Sequence, residues 1–574
     1  MADAASPVYK LAILGGGPAG IGIFVRAARL GYLDKLLSLG VVLVHGGPVA
    51  SLGRGNLGDY IINSNTFAKS LLGSVLDEKP ELDPPESIRG TFLEGLEVHP
   101  AAQRLSAIGN ASINLVELGK FLEAIGYLAR LEMLKYPGQS ACLHETTATH
   151  VERLASGVCQ ITISHHGVEE TILADHVVLA MGGTQELPPD LDPTHVAKAW
   201  TSDAVLREPG RRALANALST AKDKKVCIIG GSHSAFSVAW VLLNKMQPKP
   251  NKQEPSITFG PKDLALLHRG PIRCFYNTKK EAEADGVSVE KADKSGSVNT
   301  FTGLREDAKA LYVAASSGHE PRLKLYMVKK GTSGAALQKQ ACDAAAAIVW
   351  CCGYTTKMLP VTIDGAPQTF ASARGAIKVD LAGRVVQAHK SDGLDWLYGV
   401  GVGFALRAAV DEMKTETRAD GVTVYHRRGA TLVLAGVFGA EIYGKNCATF
   451  EEMVDKFEKR RKEERTESKI PVSPSMLLKR APQAPVADDE TSHQNLKLAI
   501  VPRKNSRVQA ESPVKPRARN QGIEIEAKAL RRSSFEAGRL TTAGRPDVQA
   551  KSCGKPVLAG AAKHAINGIR TRVL

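Results

Sequence analysis

Two runs of small residues stand where a charged ligand can approach the backbone closely. The first, GGGPAG at 15–20, lies between the apolar stretch VYKLAIL at 8–14 and the helical pattern IGIFVRAARLG. A strand that enters a tight glycine turn and leaves as a helix grips the pyrophosphate of a dinucleotide. Gly15 permits the turn, Gly17 lets the phosphates reach the backbone, and Gly20 lets helix and strand pack closely. Free N–H groups at the helix start then face the anion. Gly15, Gly17, Pro18 and Gly20 are therefore the first candidate binding residues. The second run, in KKVCIIGGSHSAFSVAWVLL at 224–243, repeats the pattern with Gly230 at the turn, Ser232 replacing the second glycine and Ser234 before the close-packing Ala235.

The strand following each turn should carry the residue that reads the ribose. In the first unit this is GVVLVHGG at 40–47, where His45 occupies the place of the usual acid. His45 either donates to a ribose hydroxyl or fills a structural position. In the second unit the strand is 264–267, and His268 and Arg269 follow it. A basic residue there suits a 2′-phosphate, so Arg269 argues for NADPH over NADH; the alternative is a solvated arginine on a surface loop.

A polar cluster, Asn63, Ser64, Asn65 and Thr66, falls between an extended run and a helix within LGDYIINSNTFAKSLL at 57–72. It either lines a site or caps the helix, since all these residue types cap well. Near the other end, LDWLYGVGVGFALRAAVDEM at 394–413 reads as a strand, the glycines Gly399, Gly401 and Gly403, and an apolar helix.

The elements that must hold these groups follow an α/β alternation up to about residue 450. Two further apolar strands ending in glycine turns, within 172–189 and 344–360, imply two equivalent nucleotide units. The chain of 574 residues with 43% hydrophobic residues is long enough for two or three domains. Its nine cysteines are scattered apart from adjacent Cys351 and Cys352. They give no zinc-ligand spacing, no CxxC or CxxxxC dithiol and no extracellular framework, so a reducing, cytoplasmic setting is expected and no metal. The opening MADAASPVYKLAIL lacks the basic start of a signal peptide, and no run is long enough to span a bilayer.

Residues 451–574 hold 26 Lys and Arg against 15 Asp and Glu, so +11 of the net +15 lies there. This Pro-, Ser- and Ala-rich segment has little apolar area to bury and is expected to be largely disordered beyond a charged helix end. Without aromatic interleaving it suits a protein partner better than nucleic acid.

GGGPAG at 15–20, GGSHSA at 230–235 and CCGY at 351–354 together resemble the paired motifs of two-dinucleotide-binding-domain flavoproteins. Within that class the chain looks most like flavin-dependent monooxygenases, including the N-hydroxylating lysine and ornithine group. The resemblance covers about residues 8–450. It implies FAD at the first turn, NADPH at the second, Asn63, Asn65 and Thr66 beside the flavin ring, Tyr354 at the later motif, and Gly401 and Gly403 as FAD neighbours. Cys351 and Cys352 depart from the ATGY form of that motif.

The expected architecture is an α/β fold with two Rossmann-like dinucleotide-binding domains and a largely disordered basic tail. Residues 1–220 form the first part of an FAD domain, 221–362 an NAD(P)H domain, 363–455 the returning part of the FAD domain, and 456–574 the tail. The expected activity is hydride uptake from NADPH followed by hydroxylation of a small nucleophilic substrate, possibly an amine, with molecular oxygen. The alternatives are a flavin oxidoreductase with another acceptor, or a flavoprotein-like interaction protein without activity. No side chain is singled out as catalytic.

Overall fold

The computed structural model describes residues 7–443 apart from 81–84, 247–254, 290–296, 300–302, 330, 374, 381, 391 and 406–428. The helix expected after Phe404 and the tail from 456 lie outside the described residues.

The first unit is built on a ten-stranded sheet. Val8–Leu14 lies between two parallel neighbours, Val41–His45 and Val168–Leu179. Val8–Leu14 and Val41–His45 are nearly continuous apolar runs, as expected where both faces of a parallel sheet are covered, and Val168–Leu179 becomes one only at its buried end. Val168–Leu179 divides its outer edge. Its first half pairs antiparallel with Cys159–His165, and Val177–Leu179 pair in parallel with Leu397–Gly399. The late strand Gly393–Gly399 thus returns the chain to the first sheet.

Helix Pro18–Arg29 has Pro18 at its start, where the missing N–H costs no hydrogen bond. Ile21, Ile23, Phe24 and Val25 are buried, each contributing about 1.5–3 kcal/mol of apolar burial. The helix also buries two arginines. Arg26 lies 2.5 Å and Arg29 2.7 Å from the carboxylate of Glu86, whose side chain is 5% exposed. Burial works to raise the Glu86 pKa, but the two guanidiniums overcome it and hold the acid at about 2. Arg26 Nε also donates to Thr431 Oγ1 at 2.8 Å, tying the helix to Ala430–Phe438.

The second unit is a five-stranded, wholly parallel sheet. Its strands in order are Ala199–Thr201, Ala347–Trp350, Val226–Ile229, Leu264–His268 and Leu323–Met327. It therefore begins at Ala199, earlier than the expected boundary at 221. Ala199–Thr201 pairs with Ile348–Trp350, and helix Glu208–Thr220 sends Leu214, Ala215 and Leu218 into the second core. A three-residue edge strand carries no apolar run from which to recognise it.

The two crossings between the sheets pair with each other: Gly183–Thr184 runs antiparallel to Thr355–Thr356. No helix among the described residues is long and apolar enough to cross a membrane.

Candidate cofactor and substrate site

At the first turn, Gly15 has φ +122°, and a Cβ there would run into the carbonyl of Ala180. A Cβ on Gly20 would strike the Gly15 carbonyl oxygen, so helix and strand are as close as the motif requires. Gly17 differs: the nearest atom to its Cβ position is Gly55 Cα at 3.8 Å, which leaves its surface open. The Gly17 N–H donates to no described residue. An open glycine with a spare donor at the N-terminus of a helix fits a pyrophosphate, so the FAD diphosphate would be held here. Gly401, φ +103°, returns to this turn, its Cβ position 3.2 Å from Ala19 Cβ.

His45 ends its strand buried, with Nε2 2.7 Å from Ser51 Oγ. Its ring packs under Gly16, and burial lowers its pKa. Ser51 thus supplies a protein partner for the nitrogen that was a candidate ribose donor.

At the second turn, Gly230 has φ +148°, and a Cβ there would lie 2.8 Å from the Cys351 carbonyl oxygen. Ser232 is the N-cap of helix His233–Lys245 but leaves its hydroxyl out of the cap, and Ser234 follows in the first turn. The N–H groups of Ser232, His233 and Ser234 donate to no described residue. Arg269 sits exposed after strand Leu264–His268 and forms no ion pair with any described residue. These groups fit a second nucleotide, with Arg269 free to meet a phosphate.

A small cleft is lined by Asn63, Asn65, Ser237, Trp240, Arg305 and Asp307. Asn63 and Asn65 belong to the strand Asn63–Phe67, which pairs with Ser112–Asn114; Thr66 contributes backbone to the same strand. Asn63 Nδ2 donates to Asp307 Oδ2 at 2.7 Å, and Arg305 reaches the Asn65 carbonyl at 3.5 Å. Arg305 is buried over the Phe275 ring, 4.2 Å from its centroid. Its backbone N–H donates to His233 Nε2 at 3.1 Å. Burial and the nearby Arg305 hold the His233 pKa at about 4, so the ring stays neutral and accepts. Glu306, between Arg305 and Asp307, has φ +44°, a strained conformation for a residue with a Cβ.

Tyr354, the residue matched to the later motif, turns its hydroxyl to protein partners. It lies 3.1 Å from Tyr60 Oη and donates to Asp203 Oδ1 at 3.3 Å. Tyr60 also donates to Asp203, and Arg207 adds a 2.8 Å contact to the same carboxylate oxygen. Gly403, φ +100°, packs on the crossing strand, where Thr356 Oγ1 donates to its carbonyl at 2.5 Å.

Arg305, Asp307, Trp240 and the Tyr60–Asp203–Arg207 group escaped the sequence reading. The charged triplet Arg305–Glu306–Asp307 does announce a helix start, with acids in its first turn, but nothing local points it at Asn63.

Two sheets, each with parallel strands around a glycine turn that feeds a helix, define a two-dinucleotide-binding-domain flavoprotein, with FAD and NAD(P)H as cofactors. The chain belongs to the pyridine nucleotide-disulphide oxidoreductase family, whose model matches residues 9–389. It is an oxidoreductase of that class. It is 27% identical over 448 residues to a CMP-5′-(3-aminopropyl)phosphonate hydroxylase of Streptomyces rubellomurinus, covering 74% of this chain and 97% of that protein. Among solved structures it is similar to an ornithine N-hydroxylase of Kutzneria sp. 744, at 15% identity and TM-score 0.44, covering 79% of this chain and 100% of that one. A cadaverine monooxygenase of Erwinia amylovora is similar at 13% identity and TM-score 0.47, covering 77% of this chain and 98% of that one.

Proposed function

We propose that the chain is an FAD- and NADPH-dependent monooxygenase that hydroxylates the amine of a small substrate at the cleft of Asn63, Trp240 and Asp307. The observation that carries this reading is the Asn63–Asp307 pair. It sets a carboxylate and a carboxamide from different units at one polar cleft next to Trp240. The hydroxylase relative, named for an aminopropyl substrate, supports an amine as the reacting group. Asp307 uses Oδ2 on Asn63, while Oδ1 accepts from no described residue and is the atom assigned to the substrate amine.

The turn at 15–20 holds the FAD diphosphate, and Ser232 and Ser234 hold that of NADPH. Arg269 meets the 2′-phosphate and selects NADPH over NADH. Bound FAD would supply hydride acceptance and the activation of oxygen. The protein's own part is orientation and water exclusion: Trp240 and the Arg305–Phe275 stack wall the cleft, and neutral His233 fixes Arg305 through its backbone. A cytoplasmic location and a protein partner for the basic tail complete the proposal.

The test is to purify the protein, record its absorption spectrum, add NADPH or NADH without oxygen, and then readmit oxygen with primary amines. The proposal expects bound flavin, faster reduction by NADPH and amine-dependent hydroxylamine formation. Flavin reduction without amine oxidation would favour an oxidoreductase with another acceptor. No flavin after reconstitution would favour an interaction protein.

A further inference from the structure

Cys227 lies on strand Val226–Ile229, which runs directly into the second glycine turn. Cys342 lies in the last turn of helix Thr332–Ala344. They are 115 residues apart in sequence, yet their sulfurs are 3.9 Å apart. Both belong to a buried apolar layer with Ile229, Leu267, Val328 and Ile348.

The two thiols are chemically unequal. The Cys227 thiol beside it and the Lys198 ammonium nearby both lower the Cys342 pKa, against burial. Lys198 Nζ donates to the Ala345 carbonyl at 2.7 Å, and His195 Nε2 lies 2.7 Å from Asp343 Oδ1, so both groups sit at the end of the helix that carries Cys342. Asp343 carries the one carboxylate in this group and acts against them. Cys227, by contrast, is pushed up by its bond to Cys342 and by burial. A thiolate facing a thiol is the arrangement that a dithiol site requires. Burial of both sulfurs excludes bulky oxidants, but Asp343 and Ala344, next to Cys342, are exposed, so the path for a small one is short.

We propose that Cys227 and Cys342 form a reversible disulfide site for a small peroxide. The Cys342 thiolate attacks one oxygen of hydrogen peroxide, breaking the O–O bond to give a sulfenic acid, and the departing hydroxide takes up a proton. Cys227 sulfur then attacks the sulfenic sulfur, and its proton leaves with the hydroxyl as water. Two thiols and one peroxide become one disulfide and two waters, with two electrons passing from sulfur to oxygen. The bond ties the last helix of the second unit to the strand that feeds its nucleotide turn. Neither step involves the flavin, so the site stands apart from the proposed hydroxylation.

The full-length reduced protein is treated with a few equivalents of hydrogen peroxide, alkylated with N-ethylmaleimide under denaturing conditions, and mapped by mass spectrometry without reduction. The expected result is a joined Cys227–Cys342 peptide pair and a loss of two alkylated thiols, both restored by dithiothreitol. Cys342→Ser should leave Cys227 fully alkylated after the same treatment. If that variant does not fold, the wild-type map decides. Full alkylation of both residues, sulfinic acid at Cys342, or a bond from Cys227 to Cys351, which also lies close enough to affect the Cys227 charge, would overturn the proposal.

Discussion

Glu86→Gln tests whether the first nucleotide helix depends on a buried acid far from it in sequence. The substitution keeps the shape of the side chain and removes the charge facing Arg26 and Arg29. The Glu86 pKa is held at about 2 against a usual 4.5. At 1.36 kcal/mol per unit this corresponds to about 3 kcal/mol of folding stability at neutral pH. Removing one partner of a buried ion pair costs about 3–5 kcal/mol by comparison with other proteins, which agrees. For a unit of this size the melting temperature should fall by roughly 6–12 °C. The sign with pH follows from a depressed acid: the stabilisation is complete above pH 4.5 and is lost as pH falls from there towards 2. The gap between wild type and variant should therefore be flat from pH 7 to 5 and narrow below 4.5. Thermal melts of both proteins across this range provide the measurement. Equal melting at pH 7, or a gap that widens in acid, would refute the reasoning.

Gly20→Ala places a methyl group on the Gly15 carbonyl and should abolish FAD retention, read from the ratio of flavin to protein absorbance. Arg269→Ala should raise the KM for NADPH by about tenfold or more, the loss of a charge-assisted hydrogen bond, and leave that for NADH unchanged; equal effects on both would place the 2′-phosphate elsewhere. Asp307→Asn should raise the amine KM with little change in anaerobic flavin reduction by NADPH, measured by stopped flow. His233, depressed to about 4 from 6.5, stabilises the fold fully above 6.5 and loses that contribution as pH falls towards 4. His233→Gln, compared with wild type in urea melts between pH 4 and 7, should show a flatter pH dependence over that window.

The strands that feed the glycine turns were legible because their signal is local. Val8–Leu14 and Val226–Ile229 are apolar runs stopped by glycine, and the structure forms strands over those residues. Ala199–Thr201 was not legible, since a short edge strand takes its identity from the neighbour it pairs with. The cleft was half legible. Asn63 and Asn65 stand out as a polar cluster, but Asp307 lies 244 residues from Asn63, and the meeting of the two depends on how one unit docks on the other. The same holds for Tyr354, whose motif position suggests a ligand while its hydroxyl meets Tyr60 and Asp203. Cys227 and Cys342 lack any dithiol spacing, because folding alone brings their sulfurs together.

The paired crossings, Gly183–Thr184 and Thr355–Thr356, have a mechanical consequence. Two separate tethers would let the units slide, twist and part independently. Tethers hydrogen-bonded side by side behave as a strap, stiff in its plane and compliant at its ends. Gly182, φ +79°, and Gly353, φ +95°, stand just before the two strands of that strap and give it swivels. Any relative movement would bend such a strap more readily than shear it, so the two crossings would move together.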